Sequence, residues 1–130
     1  MILLDTHVVL WVTSDPARLS AKAKATIEET RKNGDGLAIC DITLLELATL
    51  ANKGRINLSI SLESLLRELE ERFTVLPISS RACARTMELP PSYSKDPADR
   101  IIGATALVEG LTLLTADREI RRSRVVPTTW

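Results

Sequence analysis

Four acidic residues stand where a shared chemistry explains them better than four separate accidents. Asp5 closes the run Ile2-Leu3-Leu4-Asp5-Thr6-His7, and Glu46 lies inside Asp41-Ile42-Thr43-Leu44-Leu45-Glu46-Leu47-Ala48. Asp99 belongs to Asp96-Pro97-Ala98-Asp99-Arg100-Ile101-Ile102-Gly103-Ala104-Thr105-Ala106, and Asp117 ends Leu113-Leu114-Thr115-Ala116-Asp117. Asp5 and Asp117 follow short apolar runs of strand type. A carboxylate just past a buried strand points into the crevice where open α/β sheets bind ligands. Carboxylates that converge without His or Cys partners make a site for a hard divalent cation, Mg²⁺ or Mn²⁺. Such an ion activates water and stabilises the attacking and leaving oxygens of phosphodiester cleavage.

Taken singly, each acid has a plainer explanation. Asp5 can cap the helix it precedes. Glu46 can lie on a solvated helix face. Asp96 and Asp99 suit a cap and its N3 acid, and Asp117 can cap a short final turn. Their conjunction weighs more. In a parallel sheet the carboxyl ends of the strands open on one edge, which Asp5, the Asp41 turn and Asp117 should share. A helix starting at Asp96 presents Asp99 in its first turn, near the same edge and its positive dipole end. Carboxylates gathered there repel one another, and without a cation at least one is protonated at neutral pH.

The elements that must position these groups alternate. Met1 to Leu4 reads as a buried strand and Thr6 to Val12 as a helix broken at Ser14-Asp15-Pro16. Ser20 is the N-cap of an Ala/Lys/Glu helix that stops at Asn33-Gly34. Gly36 to Cys40 is a second strand, followed by a helix from Asp41 or Thr43 to Gly54. Ser61 opens a helix with Leu62, Leu65, Leu66 and Leu69 as its apolar stripe. Phe73 to Ile78 is a third strand, leading to a helix from Ser80 to Glu88 and the rigid connector Pro90-Pro91-Ser92. Asp96-Pro97 starts a helix that ends at Gly110. Leu111 to Thr115 is a fourth strand and Val125-Val126-Pro127 a fifth. Strands alternating with helices imply a parallel sheet covered on both faces.

Composition narrows the function further. A chain of 130 residues is expected to form one domain, residues 1–130. Its net charge is zero, so no global basic field draws it to nucleic acid, and polyanion contacts must come from local clusters. Aromatics make up only 3% of the chain, which argues against a series of base-stacking platforms. Cys40 and Cys83 match no zinc spacing and read as buried thiols in a reducing compartment. No basic leader or cleavage site precedes the first strand, and no uncharged stretch approaches the about 18 residues of a spanning helix. The expectation is a soluble, cytoplasmic protein with no membrane partner.

In these motifs the chain resembles PIN-domain proteins and, more narrowly, ribonuclease toxins of the VapC type from toxin–antitoxin pairs. Leu3-Leu4-Asp5-Thr6-His7 with Leu10-Trp11 is similar to the family's opening strand and first acid. Thr43 to Leu47, Asp96 to Ala106 and Leu111 to Asp117 resemble the next three motifs, in order. The resemblance implies a three-layer α/β fold with a central parallel five-stranded sheet flanked by helices. It implies a Mg²⁺- or Mn²⁺-dependent endoribonuclease, with Asp5, Glu46, Asp99 and Asp117 as the metal-binding and catalytic acids. Asp96 and Thr115 are helper candidates. It also implies an RNA substrate, a cognate antitoxin and a homodimer. Where the second motif often has Ser, this chain offers Cys40 or Asp41.

Other residues invite roles. His7 suits a packing or hydrogen-bonding role at a helix start better than a proton shuttle. Cys40 suits the core, with no basic partner in sequence to activate it. Arg118, Arg121, Arg122 and Arg124 follow the fourth acid; they are either a solvated turn or a phosphate clamp, and Arg100, Arg118, Arg121 and Arg122 are the expected RNA contacts. Three rival readings frame the test. A phosphatase of the haloacid-dehalogenase type needs an acid two residues after the first Asp, where this chain has His7. A PIN nuclease of RNA processing would share the acids without an antitoxin. A non-catalytic PIN-like module binding RNA or protein would have been free to lose them.

Overall fold

Leu3 and Leu4 are both fully buried, yet they enter different cores. Successive strand side chains point to opposite faces, so this requires a sheet covered on both sides. The computed structural model describes residues 1–130 and shows such a sheet. Its strands are β1 (Ile2–Leu4), β2 (Leu37–Cys40), β3 (Thr74–Leu76), β4 (Leu113–Leu114) and β5 (Thr128–Thr129). All pair in parallel, in the order β3-β2-β1-β4-β5. Leu3 sits opposite Ala38 on one side and Leu113 on the other. The strand order reverses at β1, and an open parallel sheet binds its ligands at such a reversal.

The helices are α1 (Thr6–Ser14), α2 (Ala21–Lys32), α3 (Asp41–Asn52), α4 (Leu62–Arg72), α5 (Ser80–Thr86), α6 (Pro97–Glu109) and α7 (Arg118–Ser123), with a 3₁₀ turn at Pro16–Arg18. On one face Leu4, Leu37, Ile39 and Leu114 pack against Val8, Val9, Ala23, Leu47 and Leu69. On the other, Leu3, Ala38, Cys40 and Leu113 pack against Ala82, Ile102, Ala106 and Ile120. The three layers match the expected fold. Ser20, Ser61, Ser79 and Asp96 each accept a backbone N–H as N-cap. Gly110 closes α6 at φ 66°, a left-handed turn that glycine adopts without strain.

Three expectations are corrected. The fifth strand is Thr128–Thr129 and not Val125–Pro127; Val126 is instead drawn into the core below α7. The arginine segment is a helix and not merely a turn, because Asp117 caps it and Ile120 anchors it in the core. Cys83 is exposed, since α5 buries only Ala82 and Thr86. Cys40 is buried, and burial pushes its thiol up to about 11, which keeps it an inert core group.

Candidate active site at the carboxyl edge of the sheet

Asp5 is the hub. It follows β1, is only 4% exposed, and its N–H donates to the Leu114 carbonyl of β4. As N-cap of α1, its Oδ1 accepts the Thr6 N–H at 2.9 Å. Its Oδ2 accepts the Thr115 hydroxyl at 2.7 Å. Both halves of the strand reversal therefore hold this carboxylate.

Two threonines connect Asp5 to its neighbours. Thr6 donates its N–H to Asp5 and its hydroxyl to Glu46 Oε1 at 2.5 Å. The same hydroxyl lies 3.0 Å from that of Thr43, which must donate, because the Thr6 proton goes to the carboxylate. Thr115 donates to Asp5 and accepts the Asp117 N–H at 3.1 Å. Asp117 Oδ1 then caps α7 through the N–H groups of Glu119 and Ile120. Thr43 and Thr115 are both fully buried, so these spacers are fixed by packing as well as by hydrogen bonds.

Asp99 is held from the other side. Ser94 donates its hydroxyl to Asp99 Oδ2 at 2.7 Å, and the Asp96 cap accepts the Asp99 N–H at 3.0 Å. The segment carrying Ser94 is pinned by buried Tyr93, whose ring lies on Gly103; a methyl there would overlap the Tyr93 hydroxyl. Arg100 completes the strap by donating to the carbonyls of Ser94 and Thr86 at 3.2 and 2.5 Å. Arg100 thus spends its guanidinium on backbone carbonyls, whereas Arg118, Arg121 and Arg122 are exposed. Asp41 also serves structure: its Oδ2 accepts the Ile78 N–H, joining α3 to the loop before α5.

Electrostatics tie the four acids together. Burial raises the Asp99 carboxyl to about 6; the Ser94 hydrogen bond opposes this, and the charges of Asp5, Asp96 and Asp117 add to it. Burial also raises Glu46, with the Thr6 hydroxyl opposing and Asp5 and Asp96 adding. Burial is thus the main cause of both shifts and the neighbouring carboxylates add to it; at about 6, Asp99 is still mostly ionised at neutral pH. Glu46, Asp99 and Asp117 each have one oxygen held by a protein donor and the other without a protein partner. As arranged, no three acid, His or Cys side chains stand close enough to enclose an ion by themselves. The donor set fits Mg²⁺ or Mn²⁺ nonetheless: it is all oxygen, and Mg²⁺ commonly binds one or two carboxylates and keeps its waters.

His7 closes the remaining gap. Its Nε2 accepts the Ala116 N–H at 2.9 Å, between Thr115 and Asp117, while Nδ1 lies 3.7 Å from Asp5 Oδ2. An accepting Nε2 places the proton on Nδ1, toward Asp5. Burial lowers the His7 pKa, and the neighbouring Asp5 and Asp117 charges only partly oppose it, which favours this neutral ring. Sequence reasoning assigned His7 a hydrogen-bonding role without its partner. It missed Thr6, Thr43 and Ser94, whose short polar side chains beside the motif acids were the available signal.

The family and the relatives agree with this fold. A model of the PIN domain matches residues 2–125. The chain is 42% identical over 123 residues to ribonuclease VapC22 of Mycobacterium tuberculosis, covering 95% of this chain and 92% of that protein. Among solved structures it is similar to VapBC2 of Rickettsia felis, bound to a DNA fragment from its promoter. The TM-score there is 0.74 at 20% identity, over 99% of this chain and 98% of that one. A toxin–antitoxin complex from Klebsiella pneumoniae has TM-score 0.69 at 22% identity, over 100% and 97% of the two chains. No helix is long and apolar enough to cross a membrane. With its acids on one edge of a parallel sheet and its family model matched nearly end to end, the chain belongs to the PIN-domain family.

Proposed function

We propose that this protein is a divalent-cation-dependent endoribonuclease acting as the toxin of a toxin–antitoxin pair. The observation that carries the reading is the linked carboxylate set of Asp5, Glu46, Asp99 and Asp117, together with likeness to a ribonuclease over 95% of the chain. When bound, Mg²⁺ or Mn²⁺ supplies Lewis acidity and lowers the pKa of water. Asp5, Asp99 and Asp117 would hold the ion directly or through its retained waters, and Glu46 would hold it likewise or orient the attacking water through its free oxygen. Asp96 contributes charge and the Asp99 cap. Thr115 spaces Asp5 from Asp117, and Thr6 spaces Asp5 from Glu46. Arg118, Arg121 and Arg122 supply the positive surface for RNA.

The antitoxin has a suitable docking place. Leu10, Leu47, Ile56, Leu58, Ile60 and Leu65 line a groove of about 220 Å³ between α1, α3, α4 and the loop before α4. Leu58 and Ile60 are exposed there, at 36% and 42%. Of the α4 leucine stripe, Leu69 is buried in the core with Leu66 packed against it, while Leu62 and Leu65 are only half-buried. A partner segment in this groove with an Arg or Lys reaching the acids would neutralise them. The proposal includes a homodimer, which analytical ultracentrifugation of the purified chain tests.

The decisive assay is cleavage of total cellular RNA by the purified protein in Mg²⁺ or Mn²⁺, with EDTA and Asp99→Asn as controls. Cation-dependent internal cuts, lost in both controls, are expected. Cleavage that survives excess EDTA rejects the mechanism.

A further inference from the structure

The geometry points to a second built feature beside the acids: a groove that carries the phosphates of a single RNA strand away from the cut. This inference rests on the ribonuclease reading and adds to it the path of the strand. Arg118, Arg121, Arg122 and Arg124 alone line a cavity of about 370 Å³ on α7. A second cavity, of about 660 Å³, lies between α7 and the connector before α6, and Arg122 borders both. Ser94 and Lys95 line this second cavity. Ser94 also donates to Asp99, so one lining residue of the second cavity touches the acid edge and another, Arg122, touches the arginine cavity.

Three observations say that this surface awaits an anion. None of the four arginines, nor Lys95, is in an ion pair, whereas Arg67 pairs with Glu63 on α4 and Arg85 with Glu88 just after α5. Glu119 is the lone carboxylate in either lining, against five cations. Like charges left together without counter-charges repel, and a polyanion relieves that cost. The backbone adds an independent sign. Arg124 is the one non-glycine residue with positive φ, at 54°. A left-handed conformation disfavours any side chain other than glycine's, and Asn or Gly would end α7 more easily. Arg124 instead occupies that position with its side chain on the arginine cavity. Strain of this kind persists where function repays it.

An RNA strand suits the surface better than an acidic protein segment. Guanidinium groups pair bidentately with phosphates, and Ser94 in the lining is bonded to Asp99, one of the acids at which a scissile phosphate would sit. Successive phosphates then meet Lys95 and Arg122, followed by the other three arginines.

The test is binding of a fluorescein-labelled oligouridylate of about 12 nucleotides, in Ca²⁺ to suppress cleavage, across a salt series. Arg124→Gly is the informative variant, because it removes the side chain and relieves the backbone. Its melting temperature should equal or exceed that of the wild type, while RNA affinity falls about threefold to tenfold. Arg121→Glu with Arg122→Glu should weaken binding by more than about tenfold and flatten the salt slope by about 0.7 per lost contact. If Arg124→Gly and the double reversal bind as the wild type does, with the same slope, the groove is a solvated face and the proposal fails. If poly-glutamate binds as tightly as RNA and depends equally on Arg124, the surface serves an acidic protein and the proposal is overturned. Either result leaves the ribonuclease reading intact while the wild type still cleaves RNA. A wild type that neither binds nor cleaves RNA sinks both.

Discussion

Asp5 is 4% exposed with both oxygens bonded, whereas Arg118, Arg121, Arg122 and Arg124 lie in solvent with no ion-pair partner. Each region gathers charges of one sign, but the fold treats them differently. The acids are locked by strand ends, helix caps and buried threonines, and burial, with the neighbouring carboxylates adding to it, raises Asp99. The arginines hang from a six-residue helix anchored by Ile120. Chemistry at a phosphorus atom demands donors held within fractions of an ångström. Holding a flexible polyanion demands only charge at the right spacing. Substitutions should therefore fail steeply at the acids and gradually at the arginines.

The largest expected effect is at the hub. Asp5→Asn should lower RNA cleavage by about a thousandfold or more, and adding Asp99→Asn should cost little further, because residues acting as one unit are non-additive. Independent, multiplying losses in a single-turnover assay would break the picture of one linked set.

Spacers should come next. Thr115→Val leaves Asp5 Oδ2 without its buried donor and should cost about 1–3 kcal/mol of stability by urea unfolding. His7→Leu orphans the Ala116 N–H and should loosen the Asp117 segment, weakening Mn²⁺ binding, whereas His7→Gln can still offer an acceptor oxygen. Equal Mn²⁺ affinity in wild type and His7→Leu would remove His7 from the positioning scheme.

A smaller effect reads the burial and crowding of Asp99. Asp99 is raised in the folded state, so its stabilising contribution is complete below the unfolded carboxylate range and is lost as pH rises through about 6. His7, lowered by burial, acts oppositely as pH falls below 6.5, so only a difference isolates Asp99. In EDTA, Asp99→Asn should gain about 2–4 °C on the wild type between pH 4.5 and 7. Saturating Mg²⁺ should shrink that gain. A constant difference across pH would mean that Asp99 carries no such load.

The smallest structural effect belongs to the arginines. Arg121→Glu with Arg122→Glu should change stability by no more than about 0.5 kcal/mol per substitution, since both are exposed and unpaired. A large loss in thermal melts would show that they hold α7 and are not free to meet a ligand.

The same contrast explains what could be read from the sequence. The strand–helix alternation and the four acids were legible because burial imposes periodicity and because carboxylates after apolar runs are conspicuous. Glu46 was ambiguous until Thr6, far away in sequence, was seen to claim it. Arg100 looked like the other arginines, and only the carbonyls of Thr86 and Ser94 reveal it as a strap. Ser94 offered only a short polar side chain near the Asp96 motif, and Arg124 only its place in the arginine cluster; the contact of the first across a turn and the backbone dihedral of the second are visible only in the fold. The fifth strand was misplaced because Val125 and Val126 look like a strand but serve as core filler beneath α7.

Calorimetric titration with Mn²⁺ tests most directly whether the four acids form one cation-holding unit. The wild type should bind at pH 7, and Asp5→Asn with Asp99→Asn should abolish the heat while keeping the folded circular-dichroism spectrum. Unchanged Mn²⁺ binding in that folded double variant would contradict the account, and the cation would have to be sought away from this edge of the sheet.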